Sequence, residues 1–185
     1  MRKYLRWVLP LSAVPVLLLL AYGLTRDTFV LPSALVGTEA PVFELETMDG
    51  GDTLALEELR GKVVLINFWA SWCIPCRAEH GVLVRASQEL SSGDFVLLGV
   101  VYQDTPENAR SFMQRLGGDW LSVLDPSSRT AMDYGVYGVP ESFFVDQNGM
   151  IAFKHVGPLN WDVVQSQVDS LLAGPGDRMT DASSR

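Results

Sequence analysis

Cysteine and histidine are both scarce in this sequence of 185 residues, which contains two of each. Two cysteines exclude a secreted scaffold held by several disulfides, and two histidines leave few further ligands for a zinc site. A basic surface is also lacking, because 14 Lys and Arg residues stand against 22 Asp and Glu residues. The net charge of −8 argues against binding to a nucleic-acid backbone. No segment repeats with a period of about 20–50 residues, so a solenoid is not expected.

The N-terminal region differs from the rest of the chain in charge. Residues 1–26 hold four basic residues and no acidic one, which leaves a net charge of −12 on residues 27–185. Residues 7–24 carry no charge, and as a helix they would span about 27 Å, close to the roughly 30 Å hydrocarbon core. The basic residues before this stretch predict a cytoplasmic N-terminus. We therefore expect residues 1–25 to be an uncleaved transmembrane signal anchor. A cleaved signal peptide is the alternative, because residues 21–23 resemble a cleavage site.

The remaining chain is expected to form one domain, residues 37–174, between a linker at 26–36 and a flexible tail at 175–185. Hydrophobic periodicity and turn residues predict its elements in this order: a hairpin at 43–56, a strand at 63–69, a helix through 82–90, a strand at 95–101, a helix at 106–116, a hairpin at 142–155 and a helix from 160. This order indicates an α/β fold with a central mixed β-sheet flanked by helices. Sites in such folds lie where strands lead into helices.

Both cysteines lie in residues 72–76 (WCIPC), directly after a predicted buried strand and at the start of a helix. Unpaired N–H groups at a helix N-terminus favour the Cys73 thiolate and lower its pKa. Cys76 follows one turn later, so the two sulfurs can form a disulfide. The pattern predicts a redox pair in which Cys73 attacks a target disulfide and Cys76 resolves the mixed disulfide. A structural disulfide, or half of a zinc site completed by His80 and His155, is the alternative.

Two further segments extend the pattern to a known family. Residues 67–76 (NFWASWCIPC) resemble the active-site segment of the thioredoxin superfamily, and residues 138–140 (GVP) resemble its cis-proline loop. Residues 76–80 (CRAEH) and 135–141 (GVYGVPE) resemble the CcmG/DsbE branch, whose members are membrane-anchored reductants of cytochrome c maturation. The resemblance spans residues 37–172 and implies a thioredoxin-like fold.

The resemblance also implies roles for single residues. Cys73 is the attacking thiol and Cys76 the resolving one. The Val139–Pro140 peptide bond is expected to be cis, with the Val139 backbone pairing with an extended substrate. Without the resemblance, Pro140 could equally begin an edge strand. Trp72 is expected to offer an apolar surface to a docking partner.

Two acidic residues are candidates for proton transfer at the dithiol. Asn67 stands where thioredoxins carry a buried Asp that accepts a proton, so the base must come from elsewhere. Glu79 lies one turn beyond Cys76, and Glu141 directly follows Pro140. Either can relay a proton to or from Cys76, and a nearby carboxylate disfavours a thiolate, which makes the pair a better electron donor. The alternative is that each is a solvent-exposed surface acid.

Taken together, the resemblance implies a thiol:disulfide oxidoreductase that acts as a reductant from the bacterial inner membrane. The expected topology is a single span with the C-terminal domain in the periplasm. Its expected partners are apocytochrome c, whose haem-site C-x-x-C-H disulfide it would open, and a membrane thiol carrier of the DsbD/CcdA type. No nucleic acid, metal or organic cofactor is expected. Two alternatives are a broader reductase of the TlpA/ResA kind and a non-catalytic module that holds unfolded chains in the cis-proline groove. A DsbA-like oxidant is disfavoured, because no His separates the cysteines.

Overall fold

The structure is a computed structural model that describes residues 15, 34–90 and 93–174. Apart from residue 15, the predicted anchor at 1–25 lies outside the described residues, as do most of the linker and the tail at 175–185. Among the described residues, no helix is long and apolar enough to cross a membrane.

Two β-sheets and four α-helices make up the described part of the chain. In order, the elements are β1 (Glu44–Glu46), β2 (Thr53–Ala55), a 3-10 helix (Leu56–Leu59), β3 (Val63–Trp69), α1 (Ile74–Glu89), β4 (Phe95–Tyr102), α2 (Pro106–Leu116), β5 (Ser122–Asp125), α3 (Arg129–Asp133), β6 (Glu141–Val145), β7 (Ile151–Val156) and α4 (Trp161–Leu172). β1 and β2 form an antiparallel hairpin, and the main sheet has the order β5-β4-β3-β6-β7. β3, β4 and β5 run parallel, whereas β6 and β7 are antiparallel to their neighbours. This mixed sheet confirms the predicted α/β class.

Local sequence signals account for the ends of several elements. The Thr105 side chain accepts a hydrogen bond from the Asn108 N–H, and Asn160 does the same for the Val163 N–H, so both residues cap the helices that follow them. Gly149 has a φ of +82° in the turn between β6 and β7, a conformation that glycine adopts without strain.

The main sheet is buried on both faces, which explains why β3 reads as a continuous apolar run. All seven residues of β3 are buried, and its apolar side chains alternate between two core clusters. One cluster contains side chains of α1, α2 and α4, and the other contains side chains of α3 and the 3-10 helix. The helices therefore lie on both faces, and β3 is the central strand of the sheet.

One glycine in the sheet permits a close approach beside the active-site strand. A Cβ atom at Gly99 would lie 2.6 Å from Ser122 Oγ and 2.7 Å from Trp69 Nε1. These separations are too short for a side chain, so the absence of one lets Trp69 pack over β4. Trp69 is the last residue of β3 and is 3% exposed.

The 3-10 helix, β5 and α3 were not predicted from the sequence, and the last two show why. β5 has four residues and gains its structure from pairing with β4, so it shows too little alternation to be recognised alone. α3 has five residues, and its N-terminal region is held by a bond from the Ala131 N–H to the Asp125 carboxylate. Both elements depend on contacts with other parts of the fold.

Candidate active site

The two cysteines lie at the junction of β3 and α1, joined by a disulfide. Cys73 is the N-cap of α1, and its Sγ accepts a hydrogen bond of 3.0 Å from the Cys76 N–H. Pro75 occupies the first turn, where a missing N–H is tolerated. Cys73 is 4% exposed and Cys76 is 2% exposed. In the reduced protein the same N–H group and the helix dipole would favour a thiolate on Cys73.

The loop that leads into the disulfide is held by the segment after β4. The Ser71 N–H donates to the Asp104 carboxylate at 2.6 Å, and the Trp72 Nε1–H donates to the Gln103 carbonyl at 3.1 Å. These bonds fix the loop while leaving the Trp72 side chain 57% exposed. Ile74 on the other side of Cys73 is 82% exposed. Two apolar side chains therefore flank the attacking cysteine at the surface.

The loop before β6 lies directly beside Cys73. The Val139–Pro140 peptide bond is cis, and the Val139 carbonyl oxygen lies 3.4 Å from Cys73 Sγ. Within the described residues, no backbone carbonyl accepts a hydrogen bond from the Val139 N–H. Tyr137, two residues earlier, is 92% exposed. The loop thus presents backbone polar groups next to the reacting sulfur.

Glu79 is a buried carboxyl group one turn beyond Cys76 on α1. It is 1% exposed. Its Oε1 accepts a bond of 2.9 Å from Asn67 Nδ2, and its Oε2 accepts one of 2.8 Å from the Leu159 N–H. Burial raises the pKa of Glu79 from 4.5 to about 7, because these two hydrogen bonds only partly offset the loss of solvation. The group can therefore gain or lose a proton near neutral pH.

Asn67 supplies donors rather than a charge at the centre of β3. Its Nδ2 donates to Glu79 and, at 2.9 Å, to the Ser142 hydroxyl on β6. An Asp here would place a second carboxylate against Glu79, and two such groups in one buried site cannot both ionise. The amide therefore suits a site whose buried acid lies on the helix.

Glu141 is also buried, but on the opposite face of the sheet. Ser142 bonds to Asn67 on the face of Glu79, and adjacent residues of a strand point to opposite faces. Glu141 Oε1 accepts a bond of 2.9 Å from the Tyr137 N–H, and Oε2 lies 2.7 Å from Lys154 Nζ. Both carboxylate oxygens are thus engaged beneath the cis-proline loop.

The two histidines have structural partners in the part of the chain that the structure describes. His80 Nε2 donates to the Gly117 carbonyl at 2.6 Å, its ring packs against Phe112 and Trp120, and burial lowers its pKa. His155 Nε2 lies 3.2 Å from the Pro158 carbonyl oxygen. Within residues 34–90 and 93–174, no cluster of three or more His, Cys, Asp or Glu side chains could hold a metal ion.

Sequence reasoning missed two residues that support the site, Asp104 and Lys154. Asp104 lies two residues after the end of β4. Because the C-terminal ends of parallel strands lie at the same edge of a sheet, its contact with the loop after β3 could have been predicted. Lys154 interrupts an apolar strand, and a charge in such a strand predicts a buried partner. The identity of that partner required the structure.

Most of this chain is similar in sequence to known proteins. The Redoxin family profile matches residues 35–172. The thiol:disulfide interchange protein HelX of Rhodobacter capsulatus is 40% identical over 154 residues, which cover 82% of this chain and 85% of HelX. The thiol:disulfide interchange protein DsbE of Escherichia coli K12 is 40% identical over 148 residues, 78% of each chain.

A solved structure gives the same picture of the fold. The crystal structure of a thiol:disulfide interchange protein of the thioredoxin family from Chlorobium tepidum TLS superposes with a TM-score of 0.66 at 28% identity. The match covers 74% of this chain and 97% of that one. The fold around the cysteine pair is therefore thioredoxin-like.

Proposed function

This chain belongs to the Redoxin family, and from that premise we propose that it reduces the haem-site disulfide of apocytochrome c during cytochrome c maturation. Its chemistry is thiol:disulfide exchange through the Cys73–Cys76 pair. We infer the direction of electron flow from the Glu79 carboxyl, which is buried one turn from Cys76 and has a pKa of about 7.

A buried carboxyl group beside a dithiol favours electron donation for an electrostatic reason. Strong oxidants owe their potential to a stabilised reduced form, in which the attacking cysteine is a thiolate. When Glu79 is ionised, its charge disfavours a second negative charge nearby. The reduced pair is then less stable relative to the disulfide and gives up its electrons more readily.

The proposed reaction has two exchanges of sulfur bonds. The Cys73 thiolate attacks one sulfur of the target disulfide, forms a mixed disulfide with it and releases the other target sulfur as a thiolate. Cys76, after losing its proton, attacks Cys73 Sγ and releases the first target sulfur. The target gains two electrons and, with two protons, becomes a dithiol. The protein ends as the Cys73–Cys76 disulfide.

We assign to Glu79 the role of exchanging a proton with Cys76. Its pKa near 7 matches the requirement for exchanging a proton at neutral pH. Glu141 is assigned no proton transfer, because both of its oxygens are bound by Lys154 and by backbone N–H groups. Its proposed effect on the site is through the loop that it holds.

Substrate binding is proposed to use the edge beside Cys73. An extended chain can pair with the Val139 backbone, as in β-strand addition, while Trp72 contributes an exposed apolar contact. Residues 7–24 would anchor the protein with its domain in the periplasm, as the charge pattern of the sequence suggests. A membrane thiol carrier of the DsbD/CcdA type would restore the dithiol. The exchange requires no metal or organic cofactor.

The reduction potential of the full chain tests the direction of electron flow. The protein would be equilibrated in dithiothreitol buffers, and the fraction of Cys73–Cys76 disulfide measured. A potential near or below that of thioredoxin, roughly −270 mV, supports a reductant. A potential near that of DsbA, roughly −120 mV, would reverse the proposed direction.

A trapping experiment tests the target. The Cys76→Ser variant should accumulate a mixed disulfide through Cys73 with an oxidised C-x-x-C-H peptide, whereas Cys73→Ser should not. Trapping of unrelated exported disulfide proteins with equal efficiency would indicate a broader reductase. Binding that persists in the Cys73→Ser/Cys76→Ser variant, without any turnover by the wild type, would indicate a non-catalytic module.

A further inference from the structure

We propose that Lys154 is a positioning residue, which holds the loop of residues 135–138 so that the adjoining Val139 backbone can pair with a substrate chain. The proposal rests on the proposed function, because it assigns a role in binding the disulfide-bearing chain. Lys154 does not touch the reacting sulfurs in this role. It acts through the loop that precedes the cis peptide bond.

The first observation is a buried ion pair beneath this loop. Lys154 Nζ on β7 lies 2.7 Å from Glu141 Oε2 on β6 and donates to the Gly135 carbonyl at 3.0 Å. The two charged side chains are 9% and 2% exposed. The aromatic rings of Phe143 and Tyr137 lie 5.0 Å and 5.7 Å from Nζ. The ammonium group therefore has partners suited to a cation.

The second observation is that the ion pair reaches the loop backbone at three places. Lys154 binds the Gly135 carbonyl, and Glu141 Oε1 accepts bonds from the Tyr137 N–H at 2.9 Å and the Gly138 N–H at 3.4 Å. The Tyr137 side chain is 92% exposed and contributes little packing of its own. The loop is thus fixed from below by the charged pair.

This buried charged pair fixes the position of the loop more than it stabilises the fold. The cost of removing two charges from water offsets much of their attraction, so an apolar pair of similar size can be as stable. What the pair adds is a set of directed bonds to Gly135, Tyr137 and Gly138. The loop ends at Val139, whose carbonyl oxygen is 3.4 Å from Cys73 Sγ. A shift of the loop therefore changes the edge offered to an extended substrate.

This geometry predicts different requirements for two kinds of substrate. A peptide disulfide needs both the Cys73 thiolate and a correctly placed loop edge. A small aromatic disulfide needs only the thiolate, because it has no backbone to pair. The Lys154→Met variant removes the charge and its donors while keeping a side chain of similar length. The double variant Glu141→Gln/Lys154→Met leaves no buried unpaired carboxylate and keeps an acceptor for the Tyr137 N–H.

The experiment measures second-order rates of disulfide reduction by the reduced full chain. The substrates are an oxidised C-x-x-C-H peptide and a small aromatic disulfide, and the variants are Lys154→Met, the double variant and Lys62→Met. Lys62 precedes β3 at the end opposite the cysteines, so its variant is the matched control. Unfolding curves and the reduction potential are recorded for each protein.

The expected result is a loss of about tenfold on the peptide for both Lys154 variants, which corresponds to about 1.4 kcal/mol. Their rates on the small disulfide should stay within about twofold of the control. Their reduction potentials should match that of the control. Equal losses on both substrates, or no loss on the peptide, would overturn the proposal while leaving the function intact. A wild-type protein that reduces only the small disulfide would overturn the proposed function, and this inference with it.

Discussion

Replacing Glu79 by Gln should remove a large part of the pH dependence of folding stability near neutrality. Burial raises the pKa of this carboxyl from 4.5 to about 7. The unfolded chain releases the proton near the lower value, whereas the folded protein retains it until the higher one. Between the two, the folded protein binds more protons, so the free energy of unfolding falls as the pH rises. Linkage gives a loss of about 2.5 kcal/mol between about pH 5 and pH 8 from this group alone.

The substitution also has a cost that does not depend on pH. Gln offers one carbonyl oxygen, so it can accept a bond from Asn67 Nδ2 or from the Leu159 N–H, but not from both. Leaving one buried donor unpaired costs about 1–3 kcal/mol. Glu79→Gln should therefore be less stable than the wild type near pH 5. Near pH 8 it should be equally stable or more stable, since the wild type then carries a buried charge.

Urea denaturation of the oxidised protein across this pH range measures the effect without interference from titrating thiols. Glu46→Gln is the control, because Glu46 is an exposed carboxylate on β1. Its pH dependence should follow the wild type, whereas the curve for Glu79→Gln should be flatter by about 2.5 kcal/mol. Parallel curves for the wild type and Glu79→Gln would refute the reasoning that folding raises the pKa of Glu79.

Three further substitutions test the packing, a helix cap and the docking surface. Gly99→Ala should lower the free energy of unfolding by about 1–3 kcal/mol in urea titrations, because the new methyl group would crowd Trp69 and Ser122; unchanged stability would contradict the close packing. Asn160→Ala should lower the melting temperature through a loss of about 1 kcal/mol, with no change in the rate of small-disulfide reduction. Trp72→Ala should lower the free energy of unfolding by about 1 kcal/mol through loss of its bond to the Gln103 carbonyl. It should also slow reduction of a peptide disulfide several-fold in single-turnover assays, and an unchanged rate would exclude its side chain from docking.

Much of the fold could be predicted because its signals are local. The apolar run of β3, the Thr105 and Asn160 caps and the turn at Gly149 each act within a few residues. β5 could not be predicted in the same way. Its four residues become a strand only by pairing with β4, which precedes it by an entire helix.

The candidate site also combines features set by local sequence with features set by distant contacts. The positions of Cys73 and Cys76 after β3 follow from the sequence, since strand, loop and helix are contiguous. The environments of Glu79 and Glu141 do not, because they depend on partners distant along the chain. Two carboxyl groups that looked equivalent in the sequence lie on opposite faces of the sheet. One is surrounded by neutral donors, and the other is paired with Lys154.

The contact between Asn67 and Glu79 has an evolutionary consequence. A buried acid can be carried by the strand or by the helix, but an acid at both positions would force one of them to remain protonated. The two positions are therefore expected to change together. Among relatives, a carboxylate at the position of Glu79 should be accompanied by an amide or a hydroxyl at the position of Asn67. A lineage in which the acid moved from the strand to the helix would pass through an intermediate that carries neither acid or both acids. Such intermediates should be rare.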